Sequence, residues 1–318
     1  MGIYKIERGG IILTSYIIKR VLQMIPTLIG VSILSFIIIH SVPGDPANLI
    51  AGADATAEQI QSVSERLGLD EPLYKQYLSY ALGLLRGDLG ISLHSERPVL
   101  QEIMTRFPNT ILLTVYSIFI MVIVGLFAGI FSATKPNSVR DNVAMMFSLF
   151  GISMPVFWFG IMLILLFSYY LQLLPSGGSS GFQYFILPSV VLGLSSSGVL
   201  ARLTRSSMLE VIHQDYIRTA RAKGVKERIV IYRHTLKNAA IPIITIIGLE
   251  FGTLLGGAVV TETVFSMNGL GRYIIQSIQF RDYPAVQGCI LFVATIFVFV
   301  NLIVDLSYSV LDPKIRYK

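Results

Sequence analysis

Residues 215–242 read DYIRTARAKGVKERIVIYRHTLKNAAIP, a basic, helix-forming run set between apolar runs at 184–200 and 241–260. Asp215 is placed to cap a short helix, and Gly224 can end that helix by taking a left-handed backbone. A second helix follows, with Val225, Ile229, Tyr232 and Leu236 on one face and Lys226, Arg228, Arg233 and Lys237 largely off it. Pro242 then falls near the first turn of the next apolar run, where its missing N–H costs little. Two short helices joined at a glycine and protruding between apolar runs suit either of two roles. They form a compact handle for another protein, or an ordinary basic loop beside lipid headgroups, and periodicity alone does not separate these.

Working outward, the 318 residues are 53% hydrophobic and 14% charged, more apolar surface than a soluble domain of this length hides. Apolar runs long enough to cross a bilayer, which takes about 20 residues, occur at 21–40, 110–132, 143–171, 184–200, 241–260 and 287–308. The fold expected is therefore an all-α integral membrane protein of about six transmembrane helices. The run at 184–200 holds Pro188 and Ser195 to Ser197, and is expected to be short or irregular. A single cysteine, Cys289, excludes an intrachain disulfide and a thiolate metal cluster. The formal charge of +6 does not signal nucleic acid, because the basic residues sit between apolar runs rather than on a water-facing surface.

Those basic residues set a topology. With the amino terminus in the cytoplasm, Lys5, Arg8, Lys19 and Arg20 lie inside, as do Lys135, Arg140, nine residues between Arg202 and Lys237, and Lys314, Arg316 and Lys318; these are 18 of the 25. The positive-inside rule thus places both termini, the loop 201–240 and the tail 309–318 in the cytoplasm. The first apolar run is too long for the core of a cleaved signal peptide, so residues 1–40 read as a cytoplasmic start and a first span. Residues 41–108 become an extracytoplasmic helical segment ahead of a core at 109–308. In that segment Thr56 and Gln59 have capping-box spacing, Ile60, Val63 and Leu67 share a face, and Gly68 can end the helix. A second helix begins near Pro72 and a third runs from Pro98 to Arg106.

The run 215–242 resembles the cytoplasmic coupling motif of the permeases of dipeptide, oligopeptide, glutathione and nickel ABC importers. The resemblance extends to Val42-Pro-Gly-Asp-Pro46, Gly87-Asp-Leu-Gly-Ile-Ser92, Asn268-Gly-Leu-Gly271, Arg281-Asp-Tyr-Pro284 and Asp312-Pro313, in one order along nearly the whole chain. Where the general importer motif begins Glu-Ala-Ala, this chain has Arg218-Thr219-Ala220, a departure usual in the peptide branch. The resemblance implies the type I ABC importer permease fold in a bacterial plasma (inner) membrane. It implies a second related permease, two ATP-binding-cassette ATPase subunits that carry ATP and Mg, and an extracytoplasmic solute-binding protein. No cofactor is expected on this chain itself. The loop would dock on an ATPase through Tyr216, Arg218, Thr219, Ala220, Arg221, Lys223, Gly224 and Val225. Dipeptides, longer peptides, glutathione and nickel complexes all remain open as the solute.

Other chemistries lack their motifs. No Gly-Lys dipeptide is present for a P-loop, and no histidine is followed by Glu, so a zinc helix is missing. The strand-turn Gly-x-Ser-x-Gly nucleophile motif is likewise read as absent. An ion-coupled secondary transporter is the main rival, because Glu250 and Asp305 lie in apolar runs, but no inverted repeat accompanies them. Glycines at 248, 252 and 256 make a packing stripe. Glu250 falls off it, on a side shared with Thr253, Leu254 and Gly257, so Glu250, Thr253 and Gly257 are the pathway candidates. A structural hydrogen bond to another helix is the competing role for Glu250. Asp305 is expected to pair with a Lys or Arg, Gly125 and Gly129 to pack, and Trp158 with Phe157 and Phe159 to pack rather than sense solute. His40 alone would be a poor metal site.

Overall fold

The computed structural model describes residues 3–41, 47 and 55–311. Val42-Pro-Gly-Asp-Pro46, Asp312-Pro313 and the tail lysines and arginine lie outside the described residues, as do the side chains of Val63 and Leu67. Helices account for the architecture. Among the described residues the extended pairing is a lone bridge between Ile91 and Pro98.

Among the described residues five helices are long and apolar enough to span a membrane, and a bent pair makes a sixth if its two halves cross as one span. α1 is Ile3–His40. The short α2, Ala57–Leu67, begins in the expected capping box, with Thr56 accepting from the Gln59 N–H and the Gln59 side chain accepting from the Thr56 N–H, and ends at left-handed Gly68. α3 is Leu73–Leu85. α4, Val99–Thr134, absorbs the expected separate helix at 98–106 into one continuous rod that carries Pro108 inside it. α5, Val139–Ser153, and α6, Val156–Leu163 with a π-helical continuation to Tyr170, meet at a 100° bend. The apolar run at 143–171 is thus broken at Met154, where Pro155 disfavours a helical backbone in the residue before it.

α7, Gln183–Ile212, corrects the expectation of a short or irregular fourth span, being a regular 30-residue helix. Pro188 falls near its start, so little of the hydrogen-bond ladder is interrupted. α8 is Asp215–Ala222, α9 is Glu227–Ile229, and a π-helical stretch Val230–Leu236 leads without a break into α10, Lys237–Val264. α11 is Leu270–Gln279 and α12 is Tyr283–Leu311. Gly177-Gly-Ser-Ser-Gly181 does spell Gly-x-Ser-x-Gly, but it lies in the loop between the α6 continuation and α7, with no strand before it. It is not a nucleophile elbow.

α7 is the buried centre of the bundle. Against it α4 runs parallel: a Cβ at Gly125 would come within 2.9 Å of Leu200, and one at Gly129 within 2.5 Å of Thr204. Both glycines pack, as expected. α5 runs antiparallel to α7, with Gly198 against Ser148 and Gly151 against Leu194. α12 packs antiparallel on α10, with Val304 on Gly248 and Phe297 on Gly252, while Gly256 has open space before it. On the outside of the bundle α1 is tied to α12 by Arg20 and Asp305 at 3.0 Å, the cationic partner expected for that aspartate. Arg20, Asp305, the α5 start and the α7 end all lie toward the end of the bundle that carries α8 and α9.

Candidate coupling handle and pathway

The handle is built around a side chain that sequence reading passed over. Ile217 is fully buried and packs with Ile212 and Val230, with Ala220 and Val225 closing over the cluster. This anchors α8 to the end of α7 and the start of the α10 rod. Gln214, not Asp215, occupies the cap position, and Asp215 is the first helical residue. At the other end the Val225 N–H donates to the Ala220 carbonyl at 3.2 Å and the Gly224 N–H to Arg221 at 2.9 Å. With φ +75° at Gly224, this is the left-handed stop expected there.

With Ile217 turned in, Tyr216, Arg218, Thr219, Arg221, Lys223 and Gly224 are exposed, and Ala220 and Val225 are half-buried. Not all the basic residues are free to meet a partner. Arg221 makes two bonds to Glu227, at 2.8 and 3.2 Å, that clamp α8 to α9. Its first role is therefore within the handle. Arg218 is only loosely paired with Asp215, at 3.9 Å between two exposed side chains.

The face expected for the second handle helix does not form. Ile229 and Tyr232 are exposed, whereas Val230 and Thr235 are buried. In a π-helix each N–H reaches back five residues instead of four, so the inward face advances by five positions and the α-helical stripe Val225–Ile229–Tyr232–Leu236 dissolves. Regular α-helical phase resumes in α10, with Ala239, Ile243, Leu254 and Ala258 buried.

Glu250 lies on that buried face. It is 8% exposed, and its carboxyl is within hydrogen-bonding reach of Ser196 in α7. Thr253 points elsewhere: it is exposed and lines an apolar cleft of about 740 Å³ bounded by α1, α4, α10, α11 and α12, which Glu250 does not line. The structure therefore separates two residues that helical phase had grouped. Gly257 belongs to α10, and its surroundings lie outside the described residues. Phe159 packs on the core as expected, but Phe157 and Trp158 are exposed on this chain. His40 bonds to the Phe36 carbonyl and to Gln76.

At the end of the bundle opposite the handle, two buried carboxylates explain motifs whose purpose the sequence did not disclose. Glu262, fully buried near the end of α10, accepts from the Thr110 hydroxyl at 2.6 Å and from the backbone N–H of Arg272 at 3.0 Å. The Leu270 N–H in turn donates to Thr110 at 2.8 Å. The first turn of α11 is thus folded around a carboxylate, which suits its orphan N–H groups. A Cβ at Gly269 would collide with that carboxyl group, which accounts for glycine in Asn268-Gly-Leu-Gly271. Asp282 plays the matching part for Gly87 to Ser92, accepting from the Ser92 hydroxyl and from the N–H groups of Leu93, His94 and Ala285. Among the described residues no group of three or more His, Cys, Asp or Glu side chains is placed to hold a metal ion.

Residues 125–317 match the family model described as the binding-protein-dependent transport system inner membrane component, and residues 13–114 match its N-terminal companion. The chain belongs to this family. It is similar to the glutathione transport system permease protein GsiC of Escherichia coli O6:H1, at 48% identity over 304 residues, 96% of this chain and 99% of that protein. The GsiC proteins of Escherichia coli K12 and Shigella dysenteriae serotype 1 are 47% identical over the same extent. In fold it resembles the inward-facing MetNI methionine ABC transporter, with TM-scores of 0.56 and 0.57 in two crystal forms at 18% identity, over 67% of this chain and 97% of that one. As a binding-protein-dependent inner membrane component, it is a multi-pass permease subunit of an ABC importer with the type I permease fold, a transport subunit and not an enzyme.

Proposed function

We propose that this permease forms half of the translocation pathway for glutathione or short peptides. The single observation that carries the solute class is near-half identity, over almost the full length, to permeases named for glutathione transport. In this reading the partners are a second related permease, two ATPases that bind ATP and Mg, and an extracytoplasmic binding protein. The handle, both termini and the loop 201–240 face the cytoplasm, residues 41–108 face outward, and 109–308 form the transmembrane core. The clustering of basic residues toward the handle supports that orientation.

ATP binding draws the two ATPases together and pulls on the exposed face of α8 through Tyr216, Arg218, Thr219 and Lys223, with Ala220, Gly224 and Val225 allowing close approach and Arg221 holding α8 to α9. The rod from Glu227 to Val264, on the order of 55 Å long at 1.5 Å per residue, carries that displacement to Glu262 at its far end. Rigid elements that repack between two arrangements are the means by which such a motion opens and closes a cavity. Thr253 and Gly257 are the pathway positions in α10. Glu250 acts on the pathway through α7, where its buried carboxyl meets Ser196.

The test is uptake into vesicles that hold the complete complex, with glutathione, a dipeptide and a nickel complex offered in turn. ATP-dependent accumulation of glutathione or dipeptide is expected. Uptake driven by an ion gradient without ATP, or of the nickel complex alone, would refute the proposal. In the same vesicles Glu250→Gln is expected to alter transport more than assembly.

A further inference from the structure

We propose that α3 is seated in the bilayer, with one face packed on α1 and the opposite face covered by acyl chains of the leaflet opposite the handle. Its position on α1 is the first observation. The Tyr77 hydroxyl meets Ser32 at 3.0 Å, and the Phe36 ring packs against Tyr77 and Tyr80 with centroids 5.5 and 6.2 Å away. Ser32 lies twelve residues beyond Arg20, about 18 Å along the helix, whereas a hydrocarbon core is about 30 Å thick. With the Arg20–Asp305 pair near one boundary, Tyr77 lies well below the other. The chain after α3 is tied down as well. Leu89 packs on Gly288 of α12, which is seventeen residues before Asp305, about 25 Å along that helix. Both sides of α3 are therefore fixed at or beneath the far boundary of the membrane.

The composition of α3 fits that depth. Its thirteen residues, LYKQYLSYALGLL, contain one charge, Lys75, which is in the first turn beside Gln76, itself bonded to His40, and can extend its ammonium toward headgroups. On the side away from α1, Leu78, Leu82 and Leu85 are 48–85% exposed, and Leu73 and Tyr74, beside the groove shared with α1, are 59% and 70% exposed. In water such a stripe would be costly, because the penalty grows with the apolar area left wet.

Continuity selects lipid as the occupant. Exposed Ile33 and Ile37 of the membrane-spanning α1 join Leu73 and Tyr74 across a shared groove of about 390 Å³. The apolar surface of a span thus passes onto α3 through a mainly apolar groove, with His40 and Ser41 at the end of α1 as polar lining on one side only, whereas a docking patch for a soluble protein is bounded by a polar rim. The described part of the segment between the first two spans is accordingly divided: α2 is polar, and α3 belongs to the membrane.

Tryptophan fluorescence in the reconstituted complex tests this. The chain's one tryptophan is removed as Trp158→Phe, and Leu78→Trp, Leu82→Trp or the mid-span control Phe119→Trp is introduced. In vesicles of dibrominated phosphatidylcholine, Leu78→Trp and Leu82→Trp are expected to lose emission in the same proportion as Phe119→Trp, and to resist aqueous iodide. Two positions keep the test decisive if one variant fails to assemble. Quenching by iodide without quenching by bromolipid would overturn the proposal. So would protection from iodide that arises only when the solute-binding protein is added, which would assign the stripe to that protein. Indifference to both quenchers would overturn it too, by showing a stripe covered by another subunit.

Discussion

Arg205 grips Asp141 through two parallel bonds, Nε to Oδ1 at 2.9 Å and Nη2 to Oδ2 at 2.7 Å. The pair ties the first turn of α5 to α7 near the handle, and Ser132 at the end of α4 and the Asn137 N–H complete the carboxylate's shell. Three spans therefore meet at one buried aspartate.

Arg205→Ala leaves that carboxylate buried without its cation, a change that typically costs about 3–5 kcal/mol. A marked fall in the melting temperature of the detergent-solubilised complex is expected. Arg205→Ala with Asp141→Asn should recover part of the loss, because the uncompensated charge is gone. Equal melting temperatures for the wild type and Arg205→Ala would show that the pair contributes nothing.

Glu262→Gln places an amide where the Arg272 N–H and the Thr110 hydroxyl both require an acceptor. Leaving a buried donor unsatisfied costs about 1–3 kcal/mol. The first turn of α11 should loosen, seen as faster amide exchange at residues 270–273, with α7 unchanged. Protection at wild-type level in that turn would contradict the arrangement around Glu262.

Ile217 and Tyr216 are neighbours with opposite duties. Ile217→Ala empties the cluster with Ile212 and Val230, a deletion worth about 2–5 kcal/mol when the site cannot collapse. It should make residues 215–225 more sensitive to protease. Tyr216→Ala removes an exposed ring and should leave protease resistance intact while weakening retention of the ATPase subunits during purification. If the two variants behave alike, the division into anchor and docking face fails.

What could be read from the sequence was local. Thr56 with Gln59, Gly68 and Gly224 write their backbone geometry into three or four adjacent residues, and Gly125 and Gly129 announce close packing by spacing alone. The π-helical stretch Val230–Leu236 leaves no comparable mark, so the periodicity of 225–236 pointed Ile229 and Tyr232 the wrong way. Thr110 meets Glu262 across 152 positions, and Ser92 meets Asp282 across 190, distances at which no pattern in one sequence speaks. The break at Met154 had a local sign in Pro155, which the apolar run around it obscured.

The central claim is that α8 is a coupling handle whose angle is set at Gly224, and Gly224→Val measures it most directly. A Cβ there would meet open space, so the substitution acts through φ +75° alone, where an L-residue pays about 1–2 kcal/mol and a β-branched one is worst placed. Asparagine tolerates that backbone, which makes Gly224→Asn the control. Solute uptake and ATP hydrolysis are measured together in vesicles containing the assembled complex. The account predicts that Gly224→Val inserts normally but hydrolyses ATP without proportionate uptake, while Gly224→Asn stays coupled. Normal coupled uptake by a correctly inserted Gly224→Val complex would contradict it.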